Sequence, residues 1–245
     1  MIIRITVLIL SLVGFVSTAY SDESKLENNF SGLIQLGGDR SQGNSDNRSL
    51  SSNFELGHSY GNWVTDFTFH SSQKKESGTL TEDKYESILK SIYNLPKHYY
   101  TFIQLGYRED SFSGVYAEKM YIAGFGYHAF MNKDAYSLDI EIGYGERVTK
   151  KLIDGVLRAK VDYDPGTHIA LISQYNFTDD DALKASITAE IGNDDDFLKR
   201  KFSWVHKLFD AFHLDVSYES LTLSKPSVNK VSTDATTIFK IGYTF

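Results

Sequence analysis

The stretch "AYSLDIEIGYG" (135–145) puts Tyr136, Leu138, Ile140, Ile142 and Tyr144 on one parity and Ser137, Asp139, Glu141, Gly143 and Gly145 on the other. A period of two predicts a β-strand with one apolar and one polar face. The apolar parity is itself ordered, with aliphatic residues in the middle and a tyrosine at each end. "YYTFIQLGY" repeats the order with Tyr99, Thr101, Ile103, Leu105 and Tyr107. "YIAGFGY" gives Tyr121, Ala123, Phe125 and Tyr127, and "FHLDVSYE" gives Phe212, Leu214, Val216 and Tyr218. The core of a water-soluble sandwich has no need of aromatics at both ends of its apolar face. A membrane barrel does, because its lipid-facing band is bounded by aromatic girdles at the two interfaces. The expected fold class is all-β, a single up-and-down antiparallel transmembrane β-barrel.

Alternation of this kind recurs near 29–39, 49–60, 63–72, 84–93, 99–109, 118–130, 135–146, 182–192, 198–209, 212–224 and 234–245. One more strand falls somewhere in 156–177, which makes twelve. That segment holds a single parity long enough for two strands, with Pro165 as a candidate break, and fourteen is the alternative total. The connections alternate in length. "GN" (61–62), "NLPKH" (94–98), "MNKD" (131–134), "TDDD" (178–181) and "DA" (210–211) are short, while "RSQGNSDNRS" (40–49), "KKESGTLTED" (74–83) and "KPSVNKVST" (225–233) are longer. Short turns on one side and longer loops on the other suit a barrel with both termini on the short-turn side. Pro96, Pro165 and Pro226 fall in connections or at the candidate break, as a hydrogen-bonded ladder requires.

Composition narrows the setting. The first 21 residues join a basic residue (Arg4), the apolar run "ITVLILSLVGFV" and the small-residue ending "AYS". This predicts a secretory signal peptide over 1–21, cut after Ser21, ahead of a barrel domain over 22–245. The apolar run is too short to span a bilayer, and no later run approaches membrane-helix length. There is no cysteine, which excludes lipoprotein anchoring, thiolate metal sites and cysteine nucleophiles. A net charge of −7 argues against nucleic acid as a partner.

Strand parity assigns a set of charged residues to the lumen: Glu55, Asp66, Glu86, Asp139, Glu141, Asp162, Glu190, Asp215 and Glu219, against Lys90, Arg108, Arg158, Lys160, Lys184, Lys199, Lys201, Lys207 and Lys240. A lumen of one sign would predict an ion-selective pore. Equal numbers of acids and bases predict a cross-strand salt-bridge network that fills the barrel. Asp139 and Glu141 share one strand face and could form an acid–base pair, although polar-in alternation alone puts them there. The seven histidines show no ligand spacing, and His58 and His206 fall on the outward face near strand ends. No G-x-S-x-G motif is present. "NDDD" (193–196) reads as an acidic outer loop. Arg40, Lys74, Lys75, Arg147, Lys150 and Lys151 read as basic residues of the other outer loops, able to meet lipopolysaccharide phosphates. No cofactor, metal site or catalytic residue is expected.

The C-terminal "TTIFKIGYTF" carries Thr237, Phe239, Ile241, Tyr243 and Phe245 on one parity. These form the lipid-facing stripe of a last strand that must pair with the first to remove the sheet edges. A terminal aromatic of this kind resembles the signal read by the barrel-assembly machinery, with Phe245, Tyr243, Ile241 and Phe239 as the assembly signal.

"FSGLIQLGGDRSQGNSDNRSLSSNFEL", "ALKASITAEIGND" and "TDATTIFKIGYTF" resemble the opening hairpin and the closing strands of the salt-induced outer membrane proteins, the YdiY-like family of unknown function. The resemblance covers roughly residues 29–245 and implies an outer-membrane location and a barrel, without catalytic residues. The expected function is that of a structural or osmotic-stress-responsive envelope protein with a charged, filled lumen. A small-solute channel is the alternative, and a barrel enzyme acting on lipid is a third reading. Expected partners are outer-membrane lipid, lipopolysaccharide and, during biogenesis, the assembly machinery; the oligomeric state is left open.

Overall fold

A computed structural model describes residues 28–41, 47–110, 115–132, 135–153, 156–193, 195–225 and 232–245. The predicted signal segment, Pro226 and parts of several far-rim loops lie outside them. Twelve strands run in chain order: β1 (Asn28–Ser41), β2 (Asn47–Tyr60), β3 (Trp63–Glu76), β4 (Thr79–Asn94), β5 (Tyr99–Asp110), β6 (Val115–Asn132), β7 (Tyr136–Ile153), β8 (Val156–Asn176), β9 (Asp181–Gly192), β10 (Asp196–Phe209), β11 (Phe212–Leu223) and β12 (Thr233–Thr244). Each pairs antiparallel with its chain neighbour, and β1 pairs with β12 to close the ring. The start of β1 and the end of β12 therefore lie at one end, here the terminal rim; the opposite end is the far rim.

The segment around Pro165 is one strand of 21 residues, β8. Proline is tolerated mid-strand because β8 pairs with β9 only from Gly166 onward, so its far portion is laddered on the β7 side alone. The sequence "KKESGTLTED" is not a long connection. β3 and β4 meet at a two-residue turn, Ser77–Gly78, with positive φ at both positions (49° and 82°), the geometry that matches strand twist in a tight hairpin. Strands consume residues that composition assigns to loops because charged and threonine-rich segments still ladder where two strands rise beyond the apolar band.

Outward positions carry the apolar belt, with Ile103, Phe125, Ile142, Phe239 and Ile241 each at least 59% exposed. No helix is long and apolar enough to cross a membrane, so the strands supply the only continuous apolar surface among the described residues. Aromatic rings gather at the terminal rim and touch in chains: Trp63 with Tyr93, Tyr99 with Tyr127, Phe130 with Tyr136 and on to Tyr175 and Phe177, Phe209 with Phe212 and on to Tyr243 and Phe245. Toward the far rim Tyr107, Tyr121, Tyr144 and Tyr218 are exposed.

Phe239, Ile241, Tyr243 and Phe245 all point outward. Phe245 extends the closing ladder by a reciprocal pair of backbone bonds with Gly32, 2.8 and 2.9 Å. Its ring lies over Gly32, where an added Cβ would stand 2.1 Å from it, so only glycine leaves room for the terminal aromatic.

Candidate functional site: a network across the lumen

The centre of the lumen is held by Glu141 on β7, which is 2% exposed. Lys90 Nζ on β4 donates to both carboxylate oxygens at 2.5 and 2.6 Å. Tyr100 Oη on β5 donates at 2.7 Å, and His168 Nε2 on β8 lies 3.7 Å away. His168 Nδ1 in turn is 3.9 Å from Glu190. The carboxylate thus gathers three strands onto a fourth, and Asp66 stands directly opposite Lys90 in the β3–β4 ladder.

Small residues make this packing fit. Gly124, Gly126, Gly143 and Gly145 occupy inward positions of β6 and β7, and Tyr100, Phe102 and Ile122 lie against them as a buried cluster. A Cβ on Gly126 would stand 2.0 Å from the Tyr100 ring. These inward apolar side chains are absent from a reading that equates the polar parity with the lumen. The glycines of "AGFGY" and "IGYG" on the inward parity are the signal for them, since a backbone without Cβ invites a ring from the next strand.

A second group occupies the wall formed by β11, β12, β1 and β2. Asn53 donates to Glu55 at 2.8 Å and to Gln35 at 3.1 Å, and Gln35 donates to Asp215 at 3.0 Å. Gln35, Asn53, Asp215 and Lys240 are all at most 6% exposed. The Lys240 ammonium has no hydrogen-bond partner, nor do Ser51 Oγ, Ser217 Oγ and Asp215 Oδ1.

Nearer the far rim, Lys199 Nζ on β10 bonds Glu86 on β4 at 2.7 Å. These strands are six places apart in a ring of twelve, so this pair joins opposite walls. Both partners are wetter than Glu141, at 31% and 26% side-chain exposure, and so is the Lys201–Glu219 pair at 3.2 Å. Phe197 projects inward under two guanidinium groups, Arg108 at 5.4 Å and Arg147 at 6.0 Å, and Arg108 also bonds Glu118 at 3.2 Å. At the terminal mouth Asp139 bonds His128 at 2.6 Å, while Lys184 is exposed.

Asp139 and Glu141 therefore do not act on a shared pocket, each being committed to different partners. Arg147 is not an outer-loop base. It lies within β7, points inward, and bonds Asp164 at 2.9 Å and the Asp195 carbonyl at 2.5 Å. Lys74 and Lys75 belong to β3, Lys150 and Lys151 to β7, and Arg40 to β1; the strands simply rise further than their polarity suggests. The acidic turn also differs from a free acidic loop. Asp195 accepts from Ser224 Oγ at 2.9 Å and the Lys225 amide at 2.7 Å, and Asp164 caps the turn by accepting the Asn193 and Asp195 amides. Carboxylates satisfy turn backbone here. His58 and His206 face outward, bonded to Asn28 at 2.8 Å and Asp181 at 2.9 Å. Among the described residues no cluster of three or more His, Asp or Glu is placed to hold a metal ion.

Solved structures of similar shape are outer-membrane barrels. A NanC porin covers 87% of this chain and 98% of its own, at 13% identity and a TM-score of 0.52. An outer membrane channel from Pseudomonas putida F1 covers 94% of this chain and 100% of its own, at 7% identity and a TM-score of 0.53. At these identities the likeness speaks for the fold alone. No match was found among curated proteins. A family model described as "Protein of unknown function, DUF481" matches residues 34–245, and the chain belongs to that family.

Proposed function

We propose that this chain is exported by its N-terminal segment, assembled into the outer membrane of a Gram-negative bacterium, and serves there as a structural, osmotic-stress-responsive envelope protein rather than as an open pore or an enzyme. The observation that carries the reading is the dry network around Glu141 and Gln35. It draws on β1, β2, β4, β5, β7, β8 and β11 and leaves Glu141, Tyr100, His168, Gln35, Asn53 and Asp215 buried, with Lys90 at 15% side-chain exposure. A conducting lumen keeps its charges hydrated and of one sign; this one neutralises acids with bases at contact distance. The apolar belt and its aromatic rim support the membrane location. Phe245, seated on Gly32 at the closing seam, is suited to serve as the element read by the assembly machinery, and exposed bases near the far rim, such as Lys150, are suited to lipopolysaccharide phosphates. Affiliation with the salt-induced, YdiY-like proteins would place its expression under osmotic control.

Planar-bilayer recording of the purified protein tests the closed lumen. Silent membranes at protein densities where a porin gives stable steps are expected, and large regular conductance steps would favour the second reading, a small-solute channel. That alternative draws on the partly exposed Glu86–Lys199 pair, which is wet enough to break and re-form.

A further inference from the structure

The closing seam is much shorter than the strands that form it. β1 makes fourteen rungs with β2 and β12 makes eleven with β11. Between β1 and β12 there are five, from Leu33↔Thr244 to Gly37↔Lys240, extended only by the Gly32–Phe245 pair at the terminal rim. Beyond Lys240, Thr233–Phe239 ladder on the β11 side and Gly38–Ser41 on the β2 side, with no rung between them. The ladder stops at the one Gly-Gly step in the chain, Gly37–Gly38, where backbone can bend away most freely. Phe239 at this point is outward and 59% exposed. The seam is therefore unladdered through the portion of β12 that lies in the far half of the apolar belt. Within hydrocarbon an unpaired strand edge has no partner, so it persists only where it faces a polar or water-filled space.

Such a space lies directly behind it. A cavity of about 120 Å³ in the far half of the lumen is lined by the apolar Ile238, Leu221 and Phe197 and by charges of both signs, the acids Glu82, Glu86, Asp110 and Glu219 with the bases Lys84, Arg108 and Lys199. Ile238 belongs to the unladdered portion of β12. At the foot of the gap, on the last rung and just outside the cavity lining, the buried Lys240 ammonium makes no hydrogen bond among the described residues; Asp215 stands opposite it in the β11–β12 ladder. We propose that the far half of the β1–β12 seam is a lateral opening through which a single-chain amphiphile with an anionic head group passes between the lumen and the adjoining leaflet. The acyl chain lies along Ile238 and Leu221, and the head group is drawn to Lys240. Separate groups for head and tail make an amphiphile a better fit than a wholly polar solute, which would have no use for the opening into lipid.

The inference rests on the membrane reading above, and the test separates the two. The chain has no cysteine, so single cysteines carrying a bimane fluorophore can be placed at Ile238 (lumen-facing at the seam), Phe239 (lipid-facing) and Ser203 (lumen-facing, away from the seam) in protein held in nanodiscs. Quenching of Phe239→Cys by lipids brominated on their acyl chains reports that the barrel spans the bilayer. Absence of that quenching defeats the membrane reading. With it present, quenching of Ile238→Cys to at least half the Phe239→Cys level, with Ser203→Cys unquenched, is the expected result. Shielding of Ile238→Cys to the Ser203→Cys level overturns the opening, whether a closed ladder or a second copy paired on the edge is the cause. In unbrominated nanodiscs, brominated palmitate should quench Ile238→Cys saturably, with a midpoint raised at least five-fold by Lys240→Gln. Unsaturable quenching, or the same midpoint in Lys240→Gln and with a brominated alkyl-trimethylammonium, overturns the ligand assignment.

Discussion

At the terminal rim, aromatic rings touch in chains and the seam is closed by five rungs and the Gly32–Phe245 pair. Toward the far rim the seam has no rung between Gly38–Ser41 and Thr233–Phe239. The lumen divides differently, between a dry centre and a wetter bridge nearer the far rim. Glu141, His168 and Tyr100 are at most 3% exposed, whereas Glu86 and Lys199 are partly wet. A dry charge pair resists removal of either partner because the survivor is left buried and uncompensated, and a wet pair does not because water replaces the lost partner. Rigidity is thus concentrated at the centre of the lumen, while the Glu86–Lys199 bridge nearer the far rim is a contact that water and salt can loosen; the Arg147–Asp164 pair beside it is dry again, at 8% and 6% side-chain exposure.

The largest effect should come from the dry centre. Glu141→Ala strands the Lys90 ammonium and the Tyr100 hydroxyl, and the cost expected for breaking a buried pair is about 3–5 kcal/mol. Urea unfolding of protein refolded into lipid vesicles, followed by tryptophan fluorescence, measures it. A loss under about 1 kcal/mol, the range of exposed pairs, would erase the distinction between the dry centre and the wet bridge.

Gly126→Ala comes next. The added Cβ would stand 2.0 Å from the Tyr100 ring, and Tyr100 is fixed by its bond to Glu141, so about 1–3 kcal/mol of overpacking is expected. In a Tyr100→Ala background most of that cost should vanish, because the two residues touch and their effects are not additive. An undiminished cost in the double variant would mean that the glycine serves the backbone rather than the ring.

Loss of Phe245 acts on yield more than on equilibrium. Its deletion removes the ring on Gly32 and the reciprocal backbone pair at the end of the seam. The expected outcome is less heat-modifiable protein in the outer membrane, read on gels at equal expression. Unchanged levels would contradict an assembly role and leave the terminal rim closed by its five other rungs.

How far these features can be read from sequence follows from their range. Alternation at Tyr136–Tyr144 is local, so strands, their faces and the outward aromatic stripe are visible without coordinates. Pairing across the barrel is not local. Glu86 and Lys199 are 113 residues apart, and nothing in either strand says that closure brings them together. Parity also hides the apolar lumen, because Tyr100 and Phe102 alternate with Tyr99 and Ile103 in a run that is apolar on both faces. The end of the closing ladder is legible only in retrospect, as the Gly37–Gly38 step. The length of β8 was ambiguous because Pro165 breaks a strand only where both sides must be laddered, and one side is free there.

The smallest effect should come from Glu86→Gln, and it sharpens the comparison most. The glutamine keeps the shape and one acceptor while removing the charge that faces Lys199 across the lumen. Because both partners are partly wet, the expected loss is about 0–1 kcal/mol. The residual difference should disappear at about 1 M salt, where the Debye length falls to about 3 Å. The cost of Glu141→Ala should hold under the same salt, since water and ions do not reach a carboxylate that is 2% exposed. If the two variants respond to salt alike, the Glu86–Lys199 bridge is as dry as the centre, and it would have to be counted with the fixed filling of the lumen.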